Sequence, residues 1–430
     1  MQTASKKVIN GWAMYDWANS VYNLVITTTF FPAYYAAVTS TVKFPDGITF
    51  LGRRFVNTEL KDYVLAFGFL VIALLSPILS SIADYKGNKK NFMRFFCYMG
   101  AASCSLMYFF DEHHVTLGLM CFMFAGIGFY GSQVFYNSYL PEIAMEEDRD
   151  RVSARGYSFG YIGSVIMQMI GFALVILMPE GELPLKLTFL LVGIWWVAFA
   201  QITFNRLPIS PKTERKSRKH ALVNGFHELQ KVWHEVKIMP QLKRFLTAFF
   251  FYNMGVQTVM LVAIDFGIKE LKLENSKLII TAVIIQLVAI AGAVGMSRIS
   301  ALYGNIKVLS LTVCLWIVVC IAGYFMQTEI HFYIIASLVG LVMGGIQSLS
   351  RSTYSKLMPE TKDTASFFSF YDVTEKFSIV IGLFCFGFIE GLTNNMRNSI
   401  LALIIFFIIG LLFLLLTYRV QKKQSVTLTN

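Results

Sequence analysis

Apolar stretches of about twenty residues recur along the chain from Asp16 to Arg419, and this pattern constrains the fold more than any other feature. An α-helix rises about 1.5 Å per residue, so about twenty apolar residues match the roughly 30 Å hydrocarbon core of a bilayer. With 56% hydrophobic and 15% charged residues, and a mean hydropathy of +0.58, a soluble α/β chain of 430 residues is excluded. Spans are expected at roughly 16–38, 62–82, 92–111, 115–136, 156–178, 187–206, 245–266, 278–299, 307–326, 331–349, 367–390 and 398–418. The expected fold is an all-α membrane protein of twelve transmembrane helices.

An even number of spans puts both termini on one side, and the distribution of Lys and Arg says which. Of the 37 Lys and Arg, 27 fall on the side of the termini and nine on the other, with Lys376 inside a span. The excess places both termini in the cytoplasm. It also explains the net charge of +11 as topology rather than as a nucleic-acid surface. Met1 to Gly11 is polar and carries Lys6 and Lys7 but no short apolar region with a cleavage site, so no cleaved signal is expected. The six cysteines lie singly in apolar stretches without metal-ligand spacing, and no metal or other cofactor is expected.

The longest hydrophilic stretch, 207–243, holds eight Lys or Arg against three Glu and divides the chain into an N-terminal bundle, 1–206, and a C-terminal bundle, 244–430. Within this linker Leu222, Phe226, Leu229, Trp233 and Val236 recur at helical spacing. The amphipathic helix they define either lies on the cytoplasmic membrane surface or packs under the bundle. His220, His227 and His234 share one face of it, but successive rings are about 10 Å apart, too far for one ion to bridge.

Short internal matches point to duplication. Tyr22 to Thr28 resembles Tyr252 to Thr258 at a register of 230 residues, Gly87-Asn88-Lys89-Lys90 matches Gly304-Asn305-Ile306-Lys307 at 217, and Pro141-Glu142 matches Pro359-Glu360 at 218. Matches at equivalent places in both halves imply two pseudo-symmetric bundles of six helices.

The turn between the second and third spans reads Ser80-Ser81-Ile82-Ala83-Asp84-Tyr85-Lys86-Gly87-Asn88-Lys89-Lys90. It resembles the major facilitator superfamily signature G-x-x-x-D-R-x-G-R-R, with Ser80, Tyr85 and the lysines as departures. Three further stretches, Gly11 to Ser20, Tyr136 to Ala144 with Arg151-Val152-Ser153, and Gly344 to Ser352, are similar to the vacuole-effluxer, autophagy-related branch of that superfamily, of the bacterial type. The resemblance covers nearly the whole chain. It implies two bundles that rock to expose a cargo site alternately to either side. It also implies amino-acid efflux as the activity of fungal members, and a gating role for Asp84 and Gly87.

Polar residues inside the spans are the candidate site. Asp16, Asn19, Asn23 and Thr27 fall at spacings of three, four and four, one face of a 3.6-residue helix, which either lines a cavity or glues helices together. Asn253 and Gln257 form an i, i+4 pair on the seventh span, with Asn253 equivalent to Asn23. Asn19, Asn23, Asn253 and Gln257 are the candidate cargo contacts. Asp16 and Asp265 are the candidate coupling carboxylates for a co-transported proton. Asp372, Glu375 and Lys376 are read as opening the eleventh span, with Asp372 and Lys376 spaced for a local ion pair, and the superfamily resemblance implies a gate between them and the Asp84 turn. Arg155 and Arg351 are expected beside Glu142 and Glu360.

No nucleotide-binding fingerprint is present, so a gradient must supply the energy. The expected function is secondary-active transport of a small polar solute, amino acids among them, in a multi-pass protein of the bacterial cytoplasmic membrane. A non-transporting sensor on the same fold is the alternative, as is a lipid-modifying membrane enzyme, for which His331 lacks a carboxylate partner in sequence. The expected partners are the solute and the bilayer, not nucleic acid.

Overall fold

The computed structural model describes residues 2–40, 42–50, 52–178, 181–210 and 221–429. Helix α1 (Lys6–Val21) continues through a π-helical segment (Tyr22–Phe30) into α2 (Phe31–Val38). A small antiparallel hairpin follows, β1 (Ile48–Phe50) with β2 (Arg53–Phe55), in which Thr49 faces Arg54. Next come α3 (Asn57–Lys86), α4 (Lys89–Leu106), α5 (Val115–Ser138), the single turn α6 (Leu140–Ile143), α7 (Arg149–Leu177) and α8 (Leu183–Arg206). After α9 (Ala221–Ile238) the second series is α10 (Pro240–Lys269), α11 (Asn275–Tyr303), α12 (Asn305–Tyr324), α13 (Glu329–Leu357), α14 (Thr364–Thr393) and α15 (Met396–Thr429).

Ten stretches among the described residues are long and apolar enough to cross a bilayer: α3, α5 with α6, α7, α8 and α10 to α15. Two expected spans stand apart for physical reasons. The first, Lys6–Val38, is helical throughout but changes pitch at both ends of its π segment. The third, α4, has Lys89, Lys90 and Arg94 in its first two turns, which dilutes its apolarity.

By packing, the chain falls into two compact units. The N-terminal unit comprises Ala4–Tyr139 and Phe159–Gly225, and the C-terminal unit Met1–Thr3, Leu140–Ser158 and Phe226–Asn430. Inside the N-terminal unit α4 packs on α5 and α8, α1 on α8, and α3 on α5. Inside the C-terminal unit α12 packs on α13 and α15, α10 on α15, and α11 on α13. The same four pairings recur in chain order.

Small residues set the closest approaches. A side chain on Gly344 would meet the Ala289 carbonyl of α11, and one on Gly128 would meet the Gly100 backbone of α4. In hydrocarbon, where apolar burial does not drive helices together, such backbone contacts supply the dispersion that holds a bundle.

Helix α9 packs on the start of α14. Val232 and Val236 are buried, Trp233 stacks on Phe370 with centroids 5.9 Å apart, and Lys231 pairs with Asp363 at 3.1 Å. His227 and His234 are exposed, while His220 and the side chains of Leu222 and Phe226 lie outside the described residues.

Candidate functional site

A polar cluster deep within a span lies in the C-terminal unit, where α14 packs against α10. Asn253 is only 5% exposed, and its Nδ2 donates to Ser378 Oγ at 2.7 Å. Gln257, one turn on, donates from Nε2 to Asn253 Oδ1 at 3.4 Å and to Glu375 Oε1 at 3.3 Å. Ser378 in turn donates to the Glu375 carbonyl at 2.7 Å, which fixes the hydroxyl lone pair that receives Asn253. On the same helix Lys376 Nζ lies 2.9 Å from Asp372 Oδ1 and 3.7 Å from Glu375 Oε2. Two carboxylates share one ammonium, so the cluster carries a net negative charge when all three are ionised. Asp372 Oδ2 is buried without a hydrogen-bond partner among the described residues, an arrangement that costs free energy unless a cation or proton comes to it.

The structure thus brings together Asn253 and Gln257 with Asp372 and Lys376, residues to which the sequence assigned separate roles. Glu375, given no site role from sequence, joins them; its offset of three from Asp372 on a helix was the available signal. One expectation fails here. Asp372, Glu375 and Lys376 do not open their helix, because α14 begins at Thr364. They sit two to three turns inside it, beyond the reach of the N-terminal dipole, and the i, i+4 ion pair remains.

The polar face of the first span also differs from a straight 3.6-residue stripe. Asp16 is buried and accepts from Tyr136 Oη at 2.7 Å, while the Tyr136 ring stacks on Trp12 at 4.4 Å, so Asp16 pins α1 to α5. Asn19 is fully buried, and neither polar atom of its amide finds a partner among the described residues. Asn23, the first residue after Tyr22 in the π segment, is exposed. There the hydrogen-bond register widens to five: the Phe31 backbone N–H bonds to the Ile26 carbonyl, and the Thr28 and Thr29 hydroxyls each donate to the carbonyl five residues back at 2.9 Å, whereas the Thr312 hydroxyl in α12 bonds four back. Asn23 is exposed where Asp16 and Asn19 are buried, so the three do not share one environment. Gln168 of α7 reaches the segment at Thr29 Oγ1, 3.2 Å away. π-helical turns are concentrated at functional sites. Asp265 is exposed near the end of α10, about 12 Å along the helix from Gln257, and does not join the cluster.

Two glycine turns carry the remaining polar locks. After α3, Gly87 is left-handed at φ +63°, and Asp84 pairs with Lys89 at 3.0 Å, both side chains almost fully buried. After α11, Gly304 has φ +87° and Asn305 donates to Asp150 Oδ1 at 2.6 Å. Asp150 Oδ2 accepts from Lys356 at 2.8 Å and from Ser300 at 2.9 Å. Nearby, Arg351 binds Ser153 through Nε at 2.9 Å and Nη2 at 2.8 Å and lies over the Tyr157 ring, while Glu142 accepts from Thr364 at 2.9 Å. Asp150 was missed in the sequence, where nothing ties it to a turn 155 residues later.

The family described as "Vacuole effluxer Atg22 like" matches residues 4–427. The chain belongs to that family. The uncharacterized MFS-type transporter YxiO of Bacillus subtilis (strain 168) is 33% identical to this chain, covering 94% of it and 93% of that protein. Autophagy-related protein 22 of Yarrowia lipolytica is 23% identical, covering 88% and 79%. Among solved structures, the E. coli fucose:proton symporter FucP superposes with TM-score 0.69 at 14% identity over 96% of this chain and 97% of that one. The human organic anion transporter MFSD10 superposes with TM-score 0.72 at 10% identity over 95% and 98%. The fold is that of the major facilitator superfamily.

In this vacuole-effluxer-like chain the N-terminal unit also carries a charged pocket of about 630 Å³ whose lining includes Asp111, His114, Glu182 and Lys186. Burial raises the Glu182 pKa, but hydrogen bonds from Tyr34 at 2.6 Å and from Lys186 outweigh it and hold the carboxyl below its usual range. Glu182 is therefore an ionised anchor at the N-terminus of α8, a helix end that favours an acid.

Proposed function

We propose that this chain is a secondary-active transporter that moves a small polar solute by alternating access, with twelve spans arranged as two halves of six. The observation that carries the proposal is the α10–α14 cluster, in which the Asn253 and Gln257 amides stand beside a carboxylate pair holding one unpartnered buried oxygen. An uncompensated polar set inside a span is costly and marks a solute or ion path by default. Amino acids suit it as cargo: an ammonium answers the excess negative charge of Asp372 and Glu375, and a carboxylate answers Lys376 and the amides. The family description as an effluxer supports the same class of activity.

Asn19 and Asn23 are proposed as further cargo contacts, and the Asp84–Gly87 turn and the Asp372–Lys376 pair as gating elements. For proton coupling, Asp372 and Glu375 are better candidates than Asp16, whose carboxylate is engaged by Tyr136, or Asp265, which stands away from the cluster. FucP, which shares this fold, is a fucose:proton symporter. The relative from Bacillus subtilis supports a bacterial cytoplasmic membrane, with both termini cytoplasmic by the Lys and Arg distribution.

The test is counterflow of a panel of amino acids in proteoliposomes, with and without a pH gradient. The wild type exchanges at least one of them, and Asn253→Ala with Gln257→Ala lowers exchange by about tenfold or more, equivalent to losing at least about 1.4 kcal/mol of binding. Exchange of other polar solutes but of no amino acid would refute the cargo. Binding without flux of any solute would turn the protein into a sensor.

A further inference from the structure

A second pocket, of about 260 Å³, lies in the C-terminal unit at the turn between α11 and α12 and the end of α15. It is lined by Lys307, Lys422, Gln421, Tyr303 and Tyr418 around Gly304, and none of the described residues lining it is acidic. Lys307 Nζ sits 5.2 Å above the Tyr418 ring, which holds its ammonium at the mouth. The first turn of α12 starts beside it at Asn305, with backbone N–H groups that have no acceptor within the helix. Two ammonium groups, a carboxamide, a phenol and a helix N-terminus define a site for an anion that accepts hydrogen bonds.

The surface on the membrane side of the pocket says what carries the anion. From Lys307 an exposed stripe runs along α12 through Leu311, Cys314 and Val318 at spacings of four, three and four. A matching stripe on α15, Ile405, Ile408, Leu412 and Leu415, leads through exposed Arg419 to Lys422. The two helices pack side by side, so each offers a lipid-facing apolar track that ends in a cation. Leu311 is 51% exposed and Leu412 55%, values expected of side chains that face acyl chains. Tyr303 and Tyr418 lie near the ends of their candidate spans, positions at which aromatic rings are enriched at bilayer interfaces.

We infer that this pocket binds the phosphate headgroup of an anionic phospholipid, whose acyl chains lie along α12 and α15. The Lys and Arg distribution puts it on the cytoplasmic side, where basic pockets between spans meet the negative leaflet. A free phosphate would use the lysines alone and gain nothing from the two stripes, and a zwitterionic lipid would bring a second cation beside Lys307 and Lys422.

Native mass spectrometry of the purified full-length protein with equal amounts of phosphatidylglycerol and phosphatidylcholine tests this. The wild type should keep phosphatidylglycerol at least about tenfold over phosphatidylcholine. The double variant Lys307→Gln, Lys422→Gln should retain it about thirtyfold less, while Lys6→Gln, Lys7→Gln, which removes two exposed cations elsewhere, should not change retention. Excess inorganic phosphate should not displace the lipid. Equal retention of both lipids, unchanged retention in the Lys307, Lys422 variant, or displacement by phosphate would each overturn the inference. Should the double variant not purify as a monodisperse species, the single variants carry the same test at about fivefold each.

Discussion

The turn after α3 and the turn after α11 begin with nearly the same residues and are held by different chemistry. At a register of 217 residues Gly87 corresponds to Gly304 and Asn88 to Asn305, but Asp84 corresponds to Ala301 and Lys89 to Ile306. The first turn closes on its own Asp84–Lys89 pair, five residues apart, and the second on Asp150 from the start of α7. Their charges also sit differently in the helix fields. Asp84 is in the last turn of α3 and Lys89 opens α4, each at the helix end that disfavours its charge, so each depends on the other. Asp150 is in the first turn of α7, where an acid is favoured, and three donors converge on it. A lock of two mismatched charges paired across the turn should therefore be brittle, and a lock of well-placed groups shared among several donors should fail gradually.

The largest effect expected from this contrast is at the first turn. Asp84→Ala or Lys89→Ala removes the counter-ion 3.0 Å from a buried charge and should cost about 3–5 kcal/mol. The double variant should cost clearly less than the sum of the singles, because it removes both members of the buried pair. Thermal unfolding of the four proteins in one detergent gives the cycle. Additive losses would show that the two side chains do not depend on each other, and the comparison would break there.

At the second turn Asp150→Ala removes the common acceptor of Asn305, Ser300 and Lys356, but Lys356 is partly exposed and can turn to solvent. A loss of about 2–3 kcal/mol is expected, the cost of charge-assisted hydrogen bonds rather than of a stranded buried charge. Adding Ala301→Asp to Asp150→Ala sharpens the point. It restores an acid where the first turn has one, yet Ile306 stands where Lys89 would be, so little of the loss should return. Full recovery would mean that a local acid suffices and that the contribution of α7 is incidental.

The same contrast marks what was legible in the sequence. Features set by neighbours in the chain could be read directly: the recurrence of spans, the Asp84 to Lys90 turn, and the i, i+4 spacings of Asp372 with Lys376 and Asn253 with Gln257. Features set by contacts distant in the chain could not. Asp150 meets Asn305 across 155 residues, and Gln257 meets Glu375 across 118, with no periodicity to announce either. The π segment was illegible for a different reason. Its residues, Tyr22 to Phe30, include the β-branched run Val25 to Thr29, which weakens helix preference without specifying a wider turn, and the bonds five residues back expose it.

The smallest expected effect isolates the backbone of the two turns from their charges. Gly87 lies in the left-handed helical region, φ +63° and ψ +31°, which asparagine also tolerates, whereas Gly304, at φ +87° and ψ +147°, lies where glycine alone is comfortable. No atom lies within 4 Å of where a Cβ would stand on Gly304, so substitution there meets strain and not collision. Gly87→Ala should cost about 1 kcal/mol and Gly87→Asn a few tenths, on the order of the αL preference itself. Gly304→Ala and Gly304→Asn should both cost about 2 kcal/mol, since asparagine has no advantage in that region. Melting temperatures of the four variants decide it. If asparagine rescues Gly304 as well as it rescues Gly87, the two turns share one backbone conformation and differ only in where their carboxylate comes from.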